Sequence, residues 1–275
     1  RSALEYRAAK EPAAQVMPDL LKAISYEAWL YDHDEARAAP IARAVAQNAV
    51  CAFGSRDIIE GSGIDFDVVD LSNLQRQIIH QTKDVGKAKV QSGQETIAAM
   101  NPDVEVHTYN EMVTSKNIRD IIRDQDYDFI IDGTDNFPAK FLINDACVFE
   151  KKAFSHAGII RFQGQLMTYV PGQGPCYRCV FPTMPPKDAV PTCRQAGVLG
   201  VMGGVIGTLQ ATEALKYILG IGDLLTGYLL TYDALTMTFR KIKIPRNPNC
   251  GICSDHPTIT ELIDYEQPAC DLRHH

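Results

Sequence analysis

The chain has 275 residues, 45% of them hydrophobic, and its 27 basic and 34 acidic side chains leave a formal charge of -7. That is enough apolar material for one ordinary core, or one core with a small appendage. The acidic balance excludes nucleic acid as the main partner, because a phosphate-binding surface takes clustered Lys and Arg.

The most apolar stretch, Ala196 to Leu209, is rich in glycine and soon followed by Glu213 and Lys216. It is too short to span a bilayer, which takes roughly 20 apolar residues. The first thirty residues lack a signal peptide's basic start, apolar centre and small-residue cleavage site. These features predict a soluble, cytoplasmic protein without a membrane partner.

In chain order, residues 1–64 form a divergent N-terminal part. One register takes "EAWLY" as a first strand and "IARAVAQNAVCAF" as a helix, which puts Asp32, Asp34 and Glu35 in the loop between them. Another candidate loop, "GSRDIIEGSG", has no helix after it.

From residue 65 to 170, short apolar runs alternate with helical stretches, the pattern of a parallel sheet covered by helices. "IDFDVVDL" reads as a strand, "KAKVQSGQETIAAM" as a helix, "DVEVHTYNEMV" as a strand and "SKNIRDIIRDQ" as a helix with Ile118, Ile121 and Ile122 on one side. "YDFIIDGTDN" is a buried strand, and "PAKFLINDACVFEKK" is a helix with Pro138 in its first turn. Ligands in such folds lie beyond the carboxyl ends of the strands, where Asp65, Asp67, Asp132, Asp135 and Asn136 stand. Further on, "GQLMTYV" and "GYLLTYDALTMTFRKIKI" read as antiparallel strands around the helix "GTLQATEALKYILG", which ends at Gly220.

The fold class is therefore α/β: a Rossmann-like, mostly parallel sheet with helices on both faces, followed by antiparallel strands, a crossover loop and a cysteine knuckle. The boundaries fall at 1–64, 65–265 and a tail at 266–275. The crossover is the segment 172–198, whose five prolines and three cysteines make it more than a simple connection.

Eight cysteines in a chain without an export signal are more often metal ligands or reactive thiols than disulfides. Cys51, Cys147 and Cys270 stand alone and read as packing residues. Cys176 and Cys179 in "CYRC" are matched some seventy residues later by Cys250 and Cys253 in "CGIC". Two such pairs supply the four thiolates of a closed, tetrahedral structural zinc site. Two disulfides, four unrelated thiols or a redox pair are the alternatives. Cys193 is left outside the set. His80 and His156 have no ligand spacing to a neighbour and read as surface or packing residues.

"DFDVVDLSNLQRQ", "GKAK", "DGTDN", "CYRC", "TCRQAGVLG", "GTLQATEALK" and "CGIC" occur in the order and spacing of the ThiF/MoeB/HesA family, the bacterial relatives of ubiquitin-activating enzymes. The resemblance runs from about residue 64 to 265, and the tail "HPTITELIDYE" resembles the molybdopterin-synthase-activating branch. It implies ATP-dependent adenylation of the C-terminal glycine of a ubiquitin-like sulfur carrier protein with a Gly-Gly end, within a homodimer. By this resemblance Arg76 and Lys89 hold phosphate oxygens, Asp135 holds Mg2+, Asp65 accepts hydrogen bonds from the ribose, and Asn73 lines the same pocket. Zn2+ is the implied structural metal, and Cys193 is the implied thiol nucleophile or persulfide acceptor.

The family's G-x-G-G-x-G phosphate loop has no match before Asp65. Its arginine from an N-terminal helix is matched only by Arg7 in "EYRAAK". A degenerate member that binds a carrier without turnover is therefore the alternative reading. A nicotinamide-dependent oxidoreductase rests on fold alone and lacks the same loop.

Overall fold

The computed structural model describes residues 58–59, 62–102, 104–125, 127–186 and 196–265. The expected N-terminal strand and helix, Arg7, Asp32, Asp34, Glu35, Cys51, Cys193 and Cys270 lie outside the described residues.

Eight strands form two sheets: β1 (Ile58–Ile59), β2 (Ser62–Ile64) and β3 (His107–Tyr109) in one, and β4 (Phe129–Asp132), β5 (Ala153–Ile160), β6 (Gln163–Tyr169), β7 (Tyr228–Asp233) and β8 (Thr238–Lys243) in the other. Parallel pairing joins β2 to β3 and β4 to β5, where helices make the crossovers. β1 runs antiparallel to β2, and the order β5-β6-β7-β8 is antiparallel throughout. The helices are α1 (Lys89–Met100), α2 (Ile118–Asp124), α3 (Phe137–Phe149), the single turn α4 (Tyr177–Val180) and α5 (Val201–Leu219).

Alternation along β4 and β5 decides which layer meets which face. Ile130 and Phe154 pack with Ile118, Ile122, Phe141 and Leu142 of α2 and α3. Phe129 and Ala153 turn the other way toward Ala214 and Tyr217 of α5, and Ala157 and Leu166 meet Met202 and Ile206. Helices therefore cover both faces of the larger sheet.

The ends of the helices follow from local chemistry. Asn136 caps α3 by accepting the Ala139 N–H at 2.9 Å, with Pro138 in the first turn where no backbone donor is missed. α5 stops at Gly220, which takes the left-handed conformation at φ 64°.

Three features differ from the reading of the sequence. The strand expected over 64–71 ends at Ile64, because Asp65 turns the chain at once and Leu71–Asn73 forms a short helical turn. Strand β5, "AFSHAGII", falls between the predicted helix and the predicted strand at 164, because Ser155, His156 and Gly158 interrupt its apolar run. α5 begins at Val201, six residues before the predicted helix. The glycine before it permits close approach: a Cβ on Gly200 would meet the Gln75 carbonyl oxygen at 2.6 Å. On the sheet side, a Cβ on Gly164 of β6 would meet Ile206 at 2.5 Å.

Candidate functional site

The residues expected at the nucleotide site gather after β2. Asp65 follows that strand, and its Oδ1 accepts the Asp67 N–H at 2.7 Å, which turns the chain sharply. Lys89 opens α1, tied back by its N–H to the Asp67 carbonyl at 3.0 Å. Its ammonium is buried between Asp67 Oδ2 at 2.7 Å and Asp65 Oδ2 at 3.3 Å. A buried ammonium is retained in charged form only where carboxylates offset its desolvation. This lysine therefore presents a fixed positive charge at a strand end.

Asn73 and Arg76 form a second pair. Asp70 caps the short turn Leu71–Asn73 by accepting the Ser72 N–H at 2.8 Å, and Asn73 Oδ1 then accepts from Arg76 Nη2 at 2.7 Å. Asp135 stands apart in sequence, exposed in the loop between β4 and α3. The structure thus joins Asp65 to Lys89 and Asn73 to Arg76, while Asp135 follows β4 of the larger sheet.

Behind Asp135 lies a group that sequence reasoning did not assemble. Asp132, at the end of β4, is buried against Lys140 of α3 and His156 of β5. Burial opposes ionisation of Asp132, but Lys140, His156 and Thr134 outweigh it and hold the carboxyl far below the usual range. Burial, helped by Lys140, pushes the His156 imidazole down to about 4. His156, read from the sequence as a surface or packing residue, is fully buried and hydrogen-bonded to Asp132. His80 is also buried, with Nδ1 2.9 Å from Ser92 Oγ, and burial lowers its affinity for a proton. A polar residue inside an apolar strand or helix was the available signal: Gln210 of α5 donates to the carbonyls of Asp132 and Ser155, at 3.0 and 3.1 Å, and clamps β4 to β5.

The metal centre is separate. The sulfurs of Cys176, Cys179, Cys250 and Cys253 all lie within 4.8 Å of one another. The pairs 176 with 250, 179 with 253 and 176 with 179 are 3.6, 3.4 and 4.0 Å apart. Four sulfurs at ~2.3 Å from a tetrahedral zinc would stand roughly 3.8 Å apart, so the set fits that ion. All four thiols are free, which removes the disulfide alternative for these residues. The Asn247 N–H donates to Cys179 Sγ at 3.4 Å, an outer contact that orients a thiolate ligand. Cys147 lies in the core as expected, its thiol pushed well up by burial.

The knuckle is tied to the rest of the fold by one buried ion pair. Arg178, between the first two cysteines, grips Asp145 of α3 through Nε and Nη2 at 2.7 Å each, and its guanidinium lies 4.7 Å from the Phe141 ring centre. Tyr265 joins the same group, and Asp264 accepts from the Ser115 N–H and hydroxyl at 2.6 and 2.9 Å, so the C-terminal strap crosses back to α2. No helix among the described residues is long and apolar enough to cross a membrane.

Residues 62–252 match the ThiF family. A sulfur carrier protein adenylyltransferase of Thermus thermophilus is 46% identical over 215 residues, covering 76% of this chain and 78% of that protein. The adenylyltransferase and sulfurtransferase MOCS3 of Drosophila yakuba is 44% identical over 204 residues, 74% of this chain, which spans only 45% of that longer relative. Among solved structures, that of E. coli MccB with ATP superposes with a TM-score of 0.61 at 21% identity, covering 76% of this chain and 64% of that one, and shares the fold.

Proposed function

The chain belongs to the ThiF family, and from that premise we propose that it adenylates the C-terminal glycine of a ubiquitin-like sulfur carrier protein with ATP. One carboxylate oxygen of the carrier attacks the α-phosphorus, the bond to the bridging oxygen breaks, and pyrophosphate leaves with the electron pair. The reaction brings like charges together, so it needs positioning and fixed positive charge more than a base.

The observation that carries the reading is the pairing of Lys89 with Asp65, 3.3 Å apart at the end of β2. Asp65 accepts from the ribose hydroxyls, Lys89 and Arg76 face phosphate oxygens, and Asn73 orients Arg76. Asp135, exposed in the next strand-end loop, is the ligand for magnesium, which supplies charge neutralisation on the phosphates. Zinc in the four-cysteine knuckle is structural: its donor set leaves no open position. In a second step a thiolate, Cys193, would attack the acyl adenylate and release AMP with formation of a thioester. Free thiols suit a reducing compartment such as the cytoplasm. A homodimer is the proposed assembly, and residues 65–265 are its adenylation domain.

A second reading rests on the missing glycine loop before Asp65: the chain binds a carrier without turnover. ATP-pyrophosphate exchange with a panel of carriers ending in Gly-Gly separates the two. Exchange with one carrier, lost in Lys89→Met, is the expected result. Carrier binding with no exchange in the unaltered chain overturns adenylation in favour of the binder.

A further inference from the structure

The carboxylate of Asp132, 1% exposed, is the meeting point of three elements. Its Oδ2 takes Lys140 Nζ of α3 at 3.1 Å and His156 Nδ1 of β5 at 2.8 Å. Its Oδ1 takes the backbone N–H and the hydroxyl of Thr134 at 2.9 and 2.6 Å. Lys140 also donates to the Ala157 carbonyl at 2.6 Å, so α3 is fixed to β5 through the same ammonium.

The imidazole of His156 is neutral at physiological pH, so the proton sits on Nδ1 and is donated to Asp132. Nε2 is buried with no hydrogen-bond partner among the described residues, and the ring lies 4.2 Å from that of Tyr177. Nothing beyond Nδ1 gives this histidine a polar task.

The consequence falls on the loop 133–136. Thr134 is tied down to Asp132 from one side. Asn136 is tied to the first turn of α3 from the other, through the Ala139 N–H. Asp135 is the single residue between these anchors, and it lies at the surface. Catalytic groups must be held to within a fraction of an ångström, and partners one step removed commonly do the holding.

We propose that Asp132, His156 and Lys140 form a buried network that positions Asp135 for magnesium-bound nucleotide, with His156 a positioning residue acting through Asp132. The inference rests on the reading of Asp135 as the magnesium ligand. Loosening the network displaces one carboxylate, so it raises the magnesium requirement and leaves carrier affinity alone.

The test compares His156→Leu, which removes the donor, with His156→Asn, whose side-chain N–H reaches the place of Nδ1. In ATP-pyrophosphate exchange, the Leu variant should need roughly tenfold more magnesium for half-maximal rate, the size of effect seen when a ligand's outer partner is lost. The Asn variant should recover most of that, and KM for the carrier should stay constant in both. Amide hydrogen exchange supplies a readout without turnover: the Thr134 N–H should exchange faster in the Leu variant and at the original rate in the Asn variant. If His156→Leu does not fold, Thr134→Val, which removes one hydroxyl from a half-buried loop, carries both measurements, with the backbone N–H at position 134 read in each chain. Equal magnesium dependence and equal Thr134 protection in altered and unaltered chains would overturn the network. Absence of exchange in the unaltered chain would instead remove the adenylation reading, with amide exchange still deciding whether Asp132 and His156 hold the loop.

Discussion

Replacing Arg178 with Met keeps the length and most of the packing of the side chain but removes the guanidinium. Asp145, 1% exposed, would then keep a buried negative charge with only Asn144 Nδ2 at 2.8 Å and the Tyr265 hydroxyl to receive it. Breaking a buried ion pair from one side costs about 3 to 5 kcal/mol, because the remaining charge is desolvated without a partner. For a chain of this size, ~2 to 4 °C of melting temperature accompanies each kcal/mol, so the midpoint should fall by roughly 6 to 20 °C. The double variant Arg178→Met with Asp145→Leu removes both charges and should regain most of the loss, since apolar replacement of a whole buried pair is often neutral. Thermal and urea unfolding of the single and double variants gives the coupling energy, with zinc content measured alongside to separate loss of the pair from loss of the metal. A single variant within about 1 kcal/mol of the parent would refute the claim that this pair anchors the knuckle.

Two further outcomes are expected. Cys250→Ser should abolish binding of one zinc per chain and expose the 250–265 strap to protease; zinc retained at full stoichiometry, read by metal analysis, would show that the four sulfurs are not its ligands. His156, at about 4 in the folded chain against 6.5 unfolded, makes the unfolded state the stronger proton binder, so stability is fully present above pH 6.5 and falls between 6.5 and 4 by about 3 kcal/mol. His156→Asn should flatten that part of the pH profile of urea midpoints, and an unchanged profile would mean that another group titrates there.

How far the sequence reveals this protein depends on whether a residue's partner is near it in the chain. The knuckle was legible because a metal imposes short spacing within each half and accepts few residue types, so Cys176, Cys179, Cys250 and Cys253 declare themselves without knowledge of the fold. Asn136 with Pro138, and Gly220, mark helix ends for the same local reason. β5 was illegible because what holds it lies at a distance: His156 is partnered by Asp132, 24 positions away, and the backbone carbonyl of Ser155 by Gln210 on another layer. Read locally, Ser155 and His156 argue against a buried strand; in the fold His156 joins β5 to β4 through Asp132. The early start of α5 has a similar origin, since Gly200 weakens a helix start by propensity yet is needed where the backbone of Gln75 lies against it.

The same distinction explains why the candidate site divides as it does. Asp65, Asp67 and Lys89 were each visible as charges at a strand end or helix start, but nothing near Lys89 in the chain explains why a lysine is buried. The fold supplies it, because the Asp65 turn and the first residue of α1 converge on one ammonium. A lysine fixed in this way loses little side-chain entropy when an anionic group arrives, whereas a solvated lysine would lose most of its rotamer freedom. The two carboxylates that lower its net charge also fix where that charge sits. For a reaction that joins a carboxylate to a phosphate, a placed charge is worth more than a larger mobile one.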